Sequence, residues 1–364
     1  MSNKTRHTIV DNLNIVWTIA SKDIVDALKN RVVISMVIML SIMLLAPKML
    51  PLIFEQPQTI LPVYDLGDSR WVAELKNVPD LLLQQLRSEQ EFRLALCSAL
   101  YPEIGLLLPA DFDQVGAAGE QVEFQGYMCW GKRYQVSELR PKLETMLSQS
   151  LGRPVTIHVE GNIVYPPTDG VLSLSLATVN SVLMILMMGI FLVPSLLFEE
   201  KEAKTMLALL VSPASIGQVV VGKAVAGSFY ILVTAVMIFA ISWAEVTHWD
   251  IVILFVISGG LFSVAVGLIL GSFFEKQQDT AGWMTGLLLL LVGAILVHML
   301  SMELPALIEN LLPWVPSVAL AEICRTAFSE IVPTTQVWIN LGTVLVVSLL
   351  MYALVIWKVR RSDR

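Results

Sequence analysis

Charged and apolar positions along this chain are segregated into blocks rather than interleaved. Six runs carry no Asp, Glu, Lys or Arg at all: Val32–Pro47, Val171–Phe198, Ala224–Ala244, Ile251–Phe274, Thr280–Met302 and Ile331–Trp357. A helix needs about 20 apolar residues to cross a ~30 Å hydrocarbon core, and five of the six runs reach that length. The first is shorter, covering only ~24 Å at ~1.5 Å per residue, and Pro47-Lys48 interrupts it. Lys48 can snorkel outward, and Met49–Phe54 extend the helix at the interface. No Lys or Asp sits near the centre of any run, where each would cost ~2.5–3.5 kcal/mol. The pattern predicts an α-helical integral membrane protein with six transmembrane helices.

Between the first and second runs the pattern changes. Residues 55–170 hold 25 charged residues among 116 and read as an inserted α/β domain, on the far side of the membrane from both termini. Strands are expected at Ile60–Tyr64, Ile104–Leu108, Val122–Trp130 and Val155–Glu160, with helices at Trp71–Leu100, Asp111–Ala118 and Ser137–Leu151. The insertion is long enough for its own core. His158 stands alone, and the carboxylates show no paired spacing with a His or Cys cluster, so no metal or catalytic site is expected here.

Composition agrees with the pattern. The chain of 364 residues is 55% hydrophobic and only 15% charged, with a mean hydropathy of +0.69, too apolar for a soluble globular protein. Short connections set the orientation: Glu245–Asp250 has no Lys or Arg, whereas Lys358–Arg364 has four basic residues. The positive-inside rule then places both termini in the cytoplasm. The acidic pI of 5.2 comes from the inserted domain and implies no nucleic-acid partner. A charged, amphipathic lead of about thirty residues precedes the first run, so no cleavable signal is expected. Cys97, Cys129 and Cys324 all fall on the outer side. Cys97 and Cys129 share the inserted domain and can pair in an oxidising compartment, but no spacing motif links them, and two free, buried thiols are the expectation.

One charged segment organises the rest. Phe198–Ser215, FEEKEAKTMLALLVSPAS, is wedged between two long apolar runs and must lie at one membrane face. Glu199, Glu200 and Glu202 are expected in the first turn of a short helix, where negative charge is favoured. Leu207, Leu210 and Val211 share one face, and Pro213 ends it. The order Glu200-Lys201-Glu202, Thr205, Leu209-Leu210, Ser212-Pro213 resembles the permeases of type-2 ATP-binding-cassette (ABC) transporters, in particular members with a large external domain. Lys204 stands where the family usually has Gly, and Ala208 where it often has an acid. The resemblance implies that 199–213 is a coupling helix seated in a groove of a separate ATPase subunit, with Glu199, Glu200, Glu202, Thr205, Leu207, Leu210, Val211 and Pro213 as the docking residues. An ordinary solvated loop is the alternative.

The same resemblance reaches other parts of the chain. Residues 1–31 contain an amphipathic stretch, Asn12–Arg31, whose Lys22-Asp23 matches the family's interfacial elbow helix. Residues 32–54 form the first span, and 171–357 hold the other five. Glu303–Glu330, divided by Pro305, Pro313 and Pro316, reads as two short helices matching the re-entrant hairpin (303–330) between the fifth and sixth spans, with Arg325 in the second. Leu106–Phe112 resembles the external domain of larger bacterial members. Residues 358–364 form a basic cytoplasmic tail. In the second span Ser173, Ser175, Thr178, Asn180 and Ser181 are polar groups in lipid. Helix–helix contact is the plain reading, and Ser175, Thr178, Asn180 and Ser181 are the candidates for lining a transport path. Pro194 is expected to bend this helix. Gly267 and Gly271 have the spacing of close helix packing. His298 is expected to be a satisfied interfacial residue rather than a ligand.

Two motifs are decoys. Gly217-x4-Gly222-Lys223-Ala224 nearly spells a phosphate-binding loop, but Ala replaces the Ser/Thr that holds magnesium, and a membrane span follows in place of an α/β core. Lys223 is therefore expected to be dispensable for turnover. Glu199-Glu200-x3-Lys204 approaches an intramembrane-protease motif without the His residues it needs. The sequence reading is thus a permease subunit of an ABC exporter in the bacterial inner membrane. It is not an enzyme and binds no cofactor, because ATP and magnesium belong to the partner ATPase. It pairs with a second permease copy or a homologous one. A membrane channel or receptor with an external sensing domain is the alternative, followed by an intramembrane protease.

Overall fold

In the computed structural model, the residues described are 3–27, 29, 34–39, 41–43, 45, 59–98, 103–114, 121–165, 172–202, 216–274, 276–299, 305–330 and 332–362. Five helices among them are long and apolar enough to cross a membrane. The second span is built from α5 (Leu172–Met187), a π-helical turn (Met188–Leu192) and α6 (Val193–Glu202). The others are α7 (Ile216–Ile241), α8 (Trp249–Phe273), α9 (Gln277–Met299) and α12 (Thr334–Ser362). The expected first span is described only in pieces, around an apolar helix at Ile34–Met43. Helix α1 (Asn3–Ala27) packs along α7.

The π turn ends two residues before Pro194. Proline has no N–H and crowds the carbonyl one turn back, and a π turn widens the backbone at that point. Close approach of α8 completes the arrangement. A Cβ on Gly267 would overlap the Gly189 carbonyl, one on Gly189 would overlap the Ser263 backbone, and one on Gly271 would overlap Leu197. The glycine spacing in α8 therefore carries a real helix–helix contact. By contrast, α9 is thinly packed, and Gly282, Gly286 and Gly293 meet nothing within 4 Å.

The inserted domain has β1 (Thr59–Asp65), α2 (Trp71–Lys76), β2 (Leu81–Leu86), α3 (Glu89–Ser98), β3 (Gly105–Leu108), β4 (Val122–Cys129), α4 (Val136–Leu151), β5 (Val155–His158) and β6 (Ile163–Val164). Strand order is β2-β1-β3-β4-β5, with β6 beside β4. Strand β2 corrects the expectation of helices alone over Trp71–Leu100. LLLQQL has a helix-compatible pattern, but all six residues pair in parallel with β1, from Thr59↔Leu81 to Tyr64↔Leu86, and pairing outweighs local propensity. The helix expected at Asp111–Ala118 is a turn as far as Gln114, and residues 115–120 lie outside the described set. The domain's own core includes Leu61, Leu106, Phe124 and Leu147, all fully buried.

A second correction concerns the cysteines. Cys97 and Cys129 are joined in a disulfide that ties the end of α3 to the end of β4, and Cys324 is free and buried. Both disulfide cysteines belong to the same apolar cluster as the membrane helices, through Phe92 and Leu96 of α3.

Candidate functional site

The segment that the sequence marks for docking is only partly described. Glu199 is exposed and Phe198 buried. Helix α6 continues the second span to Glu202, so Glu199, Glu200 and Glu202 close a helix here rather than open one. No helix breaker separates Phe198 from Glu199, and the backbone ladder of the span runs on past the last apolar residue. Side chains of Glu200 and Glu202 are not described, and Thr205, Leu207, Leu210, Val211 and Pro213 lie outside the described residues.

Helix α7 begins at Ile216, directly after this segment. Seven residues on, Lys223 is 1% exposed, and its Nζ donates to Asp23 Oδ2 of α1 at 3.0 Å. The phosphate-loop decoy is thus the inside of a helix, with its lysine turned against α1. The tails of α8 and α12 mark the same end of the bundle, where Lys358 Nζ stands 5.1 Å from the Phe273 ring centroid.

The candidate path residues lie on α5, which packs against α9 and against α11 (Pro316–Phe328). Thr178 is wholly buried, and among the described residues neither its Oγ1 nor the buried Asn180 Oδ1 has a hydrogen-bond partner. Ser181 donates back to the Ala177 carbonyl at 2.8 Å. The Ser173 and Ser175 side chains are not described. An unmade hydrogen bond in an apolar setting costs about 1–3 kcal/mol, so two such groups two residues apart, on nearly opposite faces of one span, are exceptional.

On the facing helices Glu322 of α11 accepts from His298 of α9 at 3.0 Å and from Arg325 at 2.7 Å. His298 is thereby satisfied by a protein carboxylate. The short helix α10 (Ala306–Leu311) and α11 are the two expected short helices of this connection. Ser317 Oγ donates to the Leu291 carbonyl at 2.8 Å, a second tie between α11 and α9.

The inserted domain meets the bundle through the 3₁₀ turn Trp130–Gln135, next to the disulfide. Trp130 stacks on Tyr165, with ring centroids 4.9 Å apart, and Tyr134 packs on Trp243 at 4.8 Å. Gly131 lies against Glu245, where a Cβ would come within 3.0 Å of Glu245 Cγ. Burial pushes the Glu103 carboxyl up to about 7 and the Lys132 ammonium down to about 8. Each shift is partly offset by the other group's charge, and for Lys132 also by Glu245. The turn between α7 and α8, which carries Trp243 and Glu245, also engages α11, since the Thr247 and His248 amides both donate to the Ala327 carbonyl, at 2.9 and 3.0 Å.

Among the described residues no His, Cys, Asp or Glu cluster could hold a metal ion. What the bundle offers is buried polar groups on packed helices, an exposed acid at a helix end and buried ionic ties between elements. Sequence reasoning missed Glu322 as the partner of His298 and the Asp23–Lys223 pair, because neither pairing has a local signal. The chain matches the family described as ABC-2 family transporter protein over residues 32–357. No curated relative matches the chain.

Proposed function

The chain belongs to the ABC-2 family of transporter proteins and is a membrane permease of that kind, and on that premise we propose that it is the permease subunit of an exporter driven by a separate ATPase. Two such permeases, identical or homologous, would enclose the substrate path. The ATPase would dock on 199–213, and ATP-driven approach of two ATPase copies would move that segment and open the path. The reading places both termini and 199–213 in the cytoplasm and the inserted domain outside, in the bacterial inner membrane.

The observation that carries the proposal is positional. Segment 203–215 connects α6 to α7 at the end of the bundle where α7 holds α1 through Lys223 and where the basic residues of α12 gather. That end meets the positive-inside rule, and Glu199 is exposed there. Thr178 and Asn180 remain the candidates for a path beside α5, as buried polar groups on a span.

The test is pull-down of the ATPase by two variants at equal membrane expression. Burying one Leu side chain is worth about 1.5–3 kcal/mol, so Leu210→Asp should abolish recovery while Leu210→Met, which nearly keeps shape and polarity, should not. Equal recovery with both would make 203–215 a plain connecting loop and sink the docking role.

A further inference from the structure

We propose that the buried Asp23–Lys223 ion pair is a register lock that makes α1 and α7 move as one body, so that displacement of segment 203–215 is passed to α1. The inference rests on the permease reading above and assigns Asp23 and Lys223 as positioning residues. Three contacts lie along the crossing of these helices. Gly222 admits α1 closely, since a Cβ there would stand 2.7 Å from Ile19 Cγ2. Next to it, Lys223 and Asp23 pair at 3.0 Å with side chains 2% and 10% exposed. Two turns further along α7, Tyr230 Oη donates to the Ile24 carbonyl at 2.5 Å.

The close fit of Gly222 against Ile19 already sets where the helices cross, and the ion pair adds a directional tie beside it. A buried ion pair tolerates no sliding. A shift of one residue along either helix, ~1.5 Å, stretches the bond and leaves both charges badly solvated. The location gives this rigidity a use. Lys223 stands seven residues after Ile216, where α7 emerges from the segment the ATPase would move, a span of ~10 Å. Lys223, dispensable on the sequence reading, becomes the point at which that motion is shared with α1.

The test uses the permease–ATPase complex purified from membranes and compares wild type, Asp23→Asn, and the double variant Asp23→Leu/Lys223→Met. ATPase recovered per permease reports assembly, the melting temperature reports packing, and ATP turnover reports transmission. Removing one partner strands a buried charge, whereas replacing both by apolar groups often leaves stability unchanged or improved. A register lock predicts that the apolar double variant assembles and melts like wild type while turnover falls about tenfold. Asp23→Asn should lose turnover to at least the same degree. Wild-type turnover in the apolar double variant would overturn the lock and leave the pair as packing alone. That variant carries the test by itself should Asp23→Asn not accumulate. Failure of wild type to recover any ATPase would instead overturn the underlying reading of a separate ATPase docked on this permease.

Discussion

Arg133 Nη1 donates to the backbone carbonyl of Ala244 at 2.6 Å, across 111 positions of sequence. The same Nη1 reaches the Trp130 carbonyl at 2.7 Å, and the guanidinium lies 3.7 Å from the Trp130 ring centroid. One side chain therefore fixes the 3₁₀ turn of the inserted domain and fastens it to the turn between α7 and α8. Hydrogen bonds to a charged group are worth about 1.5–3 kcal/mol each. Arg133→Ala should loosen the domain from the bundle while leaving its own core intact. Limited proteolysis of the purified chain should cut it near the docking turn many times faster than wild type. Unchanged cleavage would show that the aromatic contacts alone hold the domain.

Disulfide Cys97–Cys129 closes a loop of 32 residues, for which loop entropy predicts about 3–4 kcal/mol of stabilisation. It should form in the cell and be visible as a mobility shift on non-reducing gels after thiol trapping. Reduction should lower the melting temperature of the purified chain. A fully alkylated Cys97 in freshly lysed cells would place the domain in a reducing compartment.

Orientation has its own test. Thiols introduced at Ala117 and Ser362 should respond oppositely to a membrane-impermeant reagent added outside, the first labelled and the second not. The reverse pattern would invert the topology drawn from the short connections.

The Glu103 carboxyl, raised to about 7 by burial, makes stability pH-dependent. A raised value means that the neutral acid favours the folded state. Its contribution is complete below the ordinary carboxylate range and is lost as pH climbs through about 7. Lys132, lowered to about 8, works in the opposite sense, its contribution being lost as pH falls through about 8. Between about pH 5 and about pH 7 the Glu103 effect dominates, so wild-type melting temperature should fall over that range. In Glu103→Gln the fall should flatten, and identical slopes would exclude Glu103 as the source.

Two glycines offer a matched comparison. Gly267→Ala forces a methyl into the Gly189 carbonyl, whereas at Gly286 the added methyl meets open space. Overpacking costs about 1–3 kcal/mol, while Gly→Ala at an open helical position gains about 0.5–1 kcal/mol. Thermal unfolding in detergent should therefore separate the two variants in opposite directions.

Five of the six expected spans were legible in the sequence because charge-free runs of that length have few physical alternatives, and the packing of Gly267 and Gly271 because small residues at that spacing admit a neighbour. Strand β2 was not legible: Leu81, Leu82, Leu83 and Leu86 suit a helix as well as a strand until β1 is beside them. The Glu199–Glu202 cluster was misassigned to a helix start because local charge preference favours one, while continuity of the span carried the helix through it. Pairings such as Cys97 with Cys129, Asp23 with Lys223 and His298 with Glu322 depend on which elements meet. That is a property of the packed molecule, invisible residue by residue.

The wide turn at Met188–Leu192 also gives the second span one residue of slack. A helix of constant pitch locks the facing of its two ends together, so any change in length rotates one end about the axis. Here the extra residue is taken up locally, and the direction in which Thr178 and Asn180 face is set apart from that of Val193 and Leu197. Losing one residue inside 188–192 would tighten the turn and leave both ends facing as they do. Losing one at Val182 would swing half the span by about 100° and turn Thr178 and Asn180 away from the neighbours that each now faces. Of two deletions identical in chemistry and six residues or more apart, this span should accept one and refuse the other.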